Sequence, residues 1–150
     1  MFMSNIDFKT EDKKELVLKD IYSRLPYGVM VRVEVNDVFI KPTDEVATVN
    51  TISMFDYPQK FRVTPYLRPM SSMTEEEKRE LTNTTQYDTC YKDDGIDCIY
   101  QHILGWEIQG RITIHNVGYS TIDWLNEHHF DYRGLIEKGL ALEAPDGMYK

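Results

Sequence analysis

Cysteine is scarce: Cys90 and Cys98 are the only two in 150 residues. Two thiols without a secretory context fit a reduced cytoplasmic protein rather than a disulfide scaffold, and their separation matches no common zinc knuckle. Glycine is also sparse, eight residues scattered singly. GxGxxG and GxxxxGK[ST] are both absent, which removes the usual phosphate-cradling loops and any expectation of a nucleotide cofactor. HExxH and GxSxG are absent too, so neither a zincin helix nor a nucleophile elbow is available. No apolar run reaches the length of a bilayer-crossing helix, and no membrane association is expected. The opening MFMSNIDFKTEDKKE has early acids and no apolar core segment, so it does not read as a secretory leader. Basic residues are in deficit, 17 Lys and Arg against 25 Asp and Glu, for a net charge of −8. Such a chain is repelled by phosphate backbones and anionic membranes, which argues against nucleic-acid binding.

What is present is an ordinary globular composition: 41% apolar, 12% aromatic and 28% charged residues. A chain of this size buries about 70% of its unfolded surface, and with no repeat or low-complexity linker a single domain over 1–150 is the simplest expectation. Charge is uneven. Residues 75–98 hold 8 acids and 3 bases, whereas residues 46–74 hold 1 acid and 3 bases.

The pattern predicts an α+β fold. TEDKKELVLKDIYSRL (10–25) reads as a helix, with Leu18, Ile21, Tyr22 and Leu25 on one stripe, Thr10 as cap, Arg24 suited to the last turn, and Pro26 and Gly28 as stops. VMVRVEV (29–35) alternates strictly and predicts a half-buried strand. Asn36-Asp37 is turn chemistry, after which Val38-Phe39-Ile40 is expected to start the partner strand. Residues 46–54 and 60–67 are β-branched enough for further strands, with Pro65 placing the latter at an edge or ending it there. Thr74 and Glu77 have capping-box spacing and predict a short surface helix over 75–82. Residues 83–97 read as a long loop or poorly ordered excursion, 98–109 are ambiguous, and 110–118 alternate as a strand. Ser120 and Asp123 imitate a capping box opening a second helix over 120–129. GLALEAP is expected to add a short final strand. The short strands suggest a small, strongly bent antiparallel sheet of four to six strands, SH3-like and partly barrelled.

Three stretches carry a resemblance. LKDIYSRLPYGV (18–29), VTPYLRPMSSMTEEE (63–77) and DWLNEHHFDYRGLIEKGLALEAPDGMY (123–149) resemble a group of uncharacterised small proteins that recur in Bacteroides-type gut bacteria and their phages or prophage-like elements. The resemblance covers about a third of the chain. It implies an accessory protein of a mobile element and assigns no functional residue.

Two stretches hold the candidate sites. In NEHHFDYRG, His128, His129 and Asp131 are the candidates for acid–base or metal chemistry, with Glu127, His102 and His115 as further possible ligands and Cys90, Cys98, Ser71 and Ser72 as possible nucleophiles. Adjacent helical residues point about 100° apart and rarely grip one ion together. The plainer reading is a helix C-terminus, where histidine suits the negative dipole end, so no metal is expected. In PYLRPMSSMT (65–74), two prolines stiffen a segment that carries Tyr66, Arg68, Met70 and Met73, residue types favoured at interface cores. Its plainer reading is a rigid connector between a strand and the next helix. The acids of 75–98 could mimic nucleic acid for a basic partner, but read more simply as a solvated face. The leading expectation is a cytoplasmic protein-binding module whose partner is a host or phage protein, with Arg68 as anchor. A metal-assisted or hydrolytic enzyme centred on His128, His129 and Asp131 is the alternative. A nucleic-acid binder using Arg62, Arg68 and nearby tyrosines is a weaker one.

Overall fold

The computed structural model describes residues 11–84 and 119–149. The expected cap Thr10, the 85–97 part of the expected loop, the 98–109 and 110–118 segments, His102, His115, Cys90 and Cys98 lie outside them. The described residues are α+β, as the pattern predicts. They fall into two compact units, one built from the chain up to Leu67 together with the stretch from Leu135 onward, the other spanning Arg68–Gly134.

In the first unit, α1 (Glu11–Arg24) runs into a 3-10 turn at Leu25–Tyr27, which Gly28 ends at φ 70°. The buried face of α1 is Val17, Asp20, Ile21 and Arg24, one residue round from the expected stripe, and Tyr22 is exposed. A charged pair sits on that face: Arg24 Nε and Nη2 donate to the two Asp20 carboxylate oxygens, both at 3.0 Å, and neither side chain reaches solvent.

Strand β1 (Met30–Val35) points Val31 and Val33 inward as expected. It pairs antiparallel with β2 (Thr43–Val46) on one side and β3 (Phe61–Leu67) on the other. β4 (Leu142–Glu143) joins β3 in parallel, giving the order β2-β1-β3-β4. The sheet is therefore mixed and open among the described residues, not a closed SH3-like barrel: β2 and the short β4 form its two edges. The core under it includes Val17, Ile21, Val29, Val31, Val63, Leu67, Leu135 and Leu140.

Three expectations for this unit are corrected. Val38-Phe39-Ile40 does not begin the partner strand, which starts at Thr43. Residues 46–54 do not form a strand: β2 ends at Val46, and Thr48 caps a short helix, α2 (Val49–Ser53), with its N–H donating to Thr51 Oγ1 at 3.0 Å. Local side-chain bonding to the backbone outweighs the β preference of the branched residues. Pro65, finally, neither ends β3 nor makes it an edge. The Asn36 N–H donates to the Lys60 carbonyl at 2.8 Å. By ladder alternation Val31 and Pro65 then face each other as a non-hydrogen-bonded pair. Position 65 needs no donor toward β1, and β4 pairs only from Tyr66 onward.

The second unit holds α3 (Glu75–Thr84) and α4 (Tyr119–Glu127). The expected Thr74–Glu77 capping box is present, each backbone N–H bonded to the other's side-chain oxygen at 3.1 Å. Ser120 lies within α4 rather than capping it. The core of this unit is Met70, Met73, Leu81, Trp124, Leu125, Phe130 and Tyr132.

Candidate functional site

The two stretches singled out in the sequence are joined by backbone in the second unit. Arg68 N–H donates to the His129 carbonyl, and Asp131 N–H donates to the Arg68 carbonyl, both at 2.8 Å. This is an isolated parallel bridge between Arg68 and Phe130. Above it the Arg68 guanidinium lies 4.1 Å from the Phe130 ring centroid and grips Glu77 with both forks, Nη1 to Oε2 at 2.7 Å and Nη2 to Oε1 at 2.8 Å. Burial opposes ionisation of Glu77, but hydrogen bonds from Arg68 and Thr74 outweigh it and hold the carboxyl below its usual range. The anchor expected to face a partner thus ties the connector to the first turn of α3.

The neighbouring residues expected at a binding surface do not face outward. Tyr66, Met70 and Met73 are all buried, at 4%, 3% and 5% exposure. Met70 and Met73 fill the core of the second unit, because the proline-stiffened connector turns its thioethers inward. Tyr66 belongs to the first unit, where its hydroxyl donates to Asp44 at 2.9 Å. Burial raises its phenol above the usual value, and the bond to Asp44 adds to this. Arg62, the other cation of the nucleic-acid reading, is also buried, with burial lowering its affinity for the proton.

The histidine stretch closes α4. His129 N–H donates to the Asn126 carbonyl at 3.1 Å and Phe130 N–H to the Leu125 carbonyl at 3.0 Å. With His129 at φ 60°, these are the two bonds of a Schellman motif. Histidine stands where glycine is usual, at a cost of about 1 kcal/mol for the left-handed backbone. Phe130 then folds back, its ring 5.8 Å from that of Trp124. The His128 ring stacks on Trp124 at 3.9 Å, and its Nδ1 lies 2.9 Å from the Trp124 carbonyl. His129 and Asp131 are buried. No group of three or more His, Cys, Asp or Glu side chains among the described residues is placed to hold a metal. Ser72 Oγ donates to the Pro69 carbonyl at 2.7 Å, a local turn contact.

A different surface emerges in the first unit, at residues expected to open a strand. Val38, Phe39 and Ile40 form the tip of the β1–β2 hairpin, with 82%, 92% and 49% of their surface exposed. The tip is held in shape from below. Asp37 makes an Asx turn, accepting the Phe39 N–H at 2.9 Å, and the Ile40 N–H donates to the Asp37 carbonyl at 3.1 Å. Asn36 fixes the base, its side chain donating to the Gln59 carbonyl at 3.1 Å. The signal that could have found it is three consecutive apolar residues directly after an Asn-Asp turn, too close to the turn for a strand to have begun.

The fold is thus an α+β protein with a fixed apolar hairpin tip. No family model, curated protein or solved structure matches the chain. No helix among the described residues is long and apolar enough to cross a membrane.

Proposed function

We propose that this chain is a protein-binding module acting through the Val38-Phe39-Ile40 tip. The observation that carries the reading is the exposure of three consecutive apolar side chains on a turn whose backbone is already fixed. Exposed apolar runs weaken solubility unless they are used, and a preformed turn loses little conformational entropy on binding. The setting that the resemblance implies belongs to the same proposal: an accessory protein of a phage or related mobile element, in the bacterial cytoplasm, binding a host or phage protein. Arg68, first in line as the anchor, serves this function only indirectly, by holding the second unit together.

The test is an affinity pull-down of the tagged chain from a phage-infected Bacteroides-type host, read by mass spectrometry beside the Phe39→Ser variant. A protein retained in stoichiometric amount by the wild type and lost with Phe39→Ser is expected. Retention of no such protein, or equal retention by both forms, overturns the reading.

A further inference from the structure

The stretch from Ala144 to Tyr149 is held at both ends. At one, the Ala144 N–H donates to the Leu67 carbonyl at 2.7 Å. At the other, the Tyr149 hydroxyl donates to the Tyr66 carbonyl at 2.7 Å and accepts the Met30 N–H at 2.8 Å. Between these anchors lies a turn from Pro145 to Met148, closed by the Met148 N–H on the Pro145 carbonyl at 3.1 Å. Gly147 stands at its third position with φ 80°, while Asp146 before it keeps a negative φ, so the turn is of type II. That geometry calls for glycine at 147 and leaves Asp146 at an exposed corner. Among the described residues no donor meets the Asp146 carboxyl and no acceptor meets the Gly147 N–H.

We propose that Asp146–Gly147 is a modification site, where the aspartate isomerises spontaneously and thereby unfastens Tyr149 from both strands. The Gly147 nitrogen attacks Cγ of Asp146. A C–N bond forms, one carboxyl oxygen leaves as water with the amide hydrogen and a proton, and a five-membered succinimide results. Water then adds to the former main-chain carbonyl of Asp146 and breaks its bond to nitrogen. The main chain now runs through Cβ and Cγ, and the old carbonyl carbon becomes a free carboxylate, with no net change in composition. Glycine carries no side chain to shield the attacking nitrogen, and no hydrogen bond to either reacting group has to break first. The product adds one carbon, about 1.5 Å, to the main chain. It also destroys the turn that aims Tyr149. Hydrogen bonds weaken steeply once distance and angle leave a narrow range, so the displaced phenol releases the Met30 N–H and the Tyr66 carbonyl. The new carboxylate is the chemical class of group that isoaspartyl-specific methyl transfer from S-adenosylmethionine recognises. None of this depends on the protein-binding reading.

The test holds the purified full chain for weeks at neutral pH and body temperature, beside Asp146→Glu and Tyr149→Phe. Glutamate would have to close a six-membered ring, which is far slower. Isoaspartate is mapped by its resistance to cleavage by an aspartate-specific endoproteinase, and stability is read as the urea midpoint of the isomerised fraction after chromatography. The sequence holds a second such pair, Asp94-Gly95, outside the described residues. Peptide mapping separates the two, and Asp146→Glu keeps the second one intact. Isoaspartate at residue 146 is expected in the wild type, with a fall in midpoint about as large as the one fresh Tyr149→Phe shows. In Tyr149→Phe the same isomerisation should lower the midpoint no further, and Asp146→Glu should keep its midpoint. Absence of isoaspartate at residue 146 overturns the proposal. So does an isomerised wild type with an unchanged midpoint, an equal further fall in Tyr149→Phe, or an equal fall in Asp146→Glu.

Discussion

The Tyr149 hydroxyl donates to the Tyr66 carbonyl at 2.7 Å and accepts the Met30 N–H at 2.8 Å. Met30 and Tyr66 would be the next hydrogen-bonded pair of the β1–β3 ladder, whose paired register begins at Val31 and Pro65. The phenol is inserted between the strand ends and completes both backbone groups from 83 residues beyond Tyr66.

That insertion makes stability sensitive to alkali. Burial pushes the Tyr149 phenol up to about 12, from an ordinary value of about 10. Folding favours the protonated form, so its contribution is complete below pH 10 and is lost as pH rises toward 12. Tyr149→Phe is expected to cost about 1–2 kcal/mol at neutral pH. It should also flatten the fall in urea midpoint between pH 10 and pH 12 relative to wild type. Parallel curves for the two proteins would contradict a buried, bridging phenol.

The Asp20–Arg24 pair is fully enclosed. Removing one member leaves a buried charge with its main counter-ion gone, so Asp20→Asn should lose about 3–5 kcal/mol in chemical denaturation. Replacing both with leucine should cost less than Asp20→Asn alone. A small effect from the single substitution would mean that water reaches Arg24.

Arg68→Ala should act on stability, not on partner binding. It removes a two-pronged carboxylate contact and a ring contact at a side chain 21% exposed, against 17% for Glu77. About 2 kcal/mol is expected after allowing for partial solvent screening. A double-mutant cycle with Glu77→Gln should return a coupling of about 1 kcal/mol. Folded Arg68→Ala that loses the pulled-down protein would restore Arg68 as a binding anchor.

Gly28 ends the turn after α1 at φ 70°, and a methyl added there would meet no atom within 4 Å. Gly28→Ala should therefore cost about 1 kcal/mol from backbone conformation alone. A loss several times larger, measured by thermal denaturation, would point to crowding that the structure does not contain.

Phe39→Ser should leave stability within about 0.5 kcal/mol of wild type, as expected for a surface side chain outside the core. A marked fall in melting temperature would instead make the tip part of the fold.

Elements with local chemical punctuation were legible in the sequence: α1 before Pro26, the alternating β1, and the Thr74–Glu77 box of α3. The α1 face departs from the expected stripe because Asp20 and Arg24, four residues apart, satisfy each other and go inward, while Tyr22 stays in water. Periodicity that counts charges as solvent-facing cannot register such a pair. Pro65 misled in a related way, since its missing donor matters only on the side of the strand that needs one. The histidine stretch was readable as a helix end because carbonyl capping and a turn residue are local properties. The hairpin tip was not, because its exposure depends on where β2 begins, and that depends on pairing across the sheet.

The division of the first unit between two distant stretches also sets an order of events. β3 ends at Leu67, yet its parallel neighbour begins at Leu142, and the phenol that completes the ladder comes at Tyr149. During synthesis, the helix and hairpin can form as soon as they leave the ribosome, but the sheet waits for residues 142–149. Until then one side of β3 is an unclosed edge, open to pairing with whatever strand is nearby. A chain truncated before residue 142 would keep that edge for its lifetime.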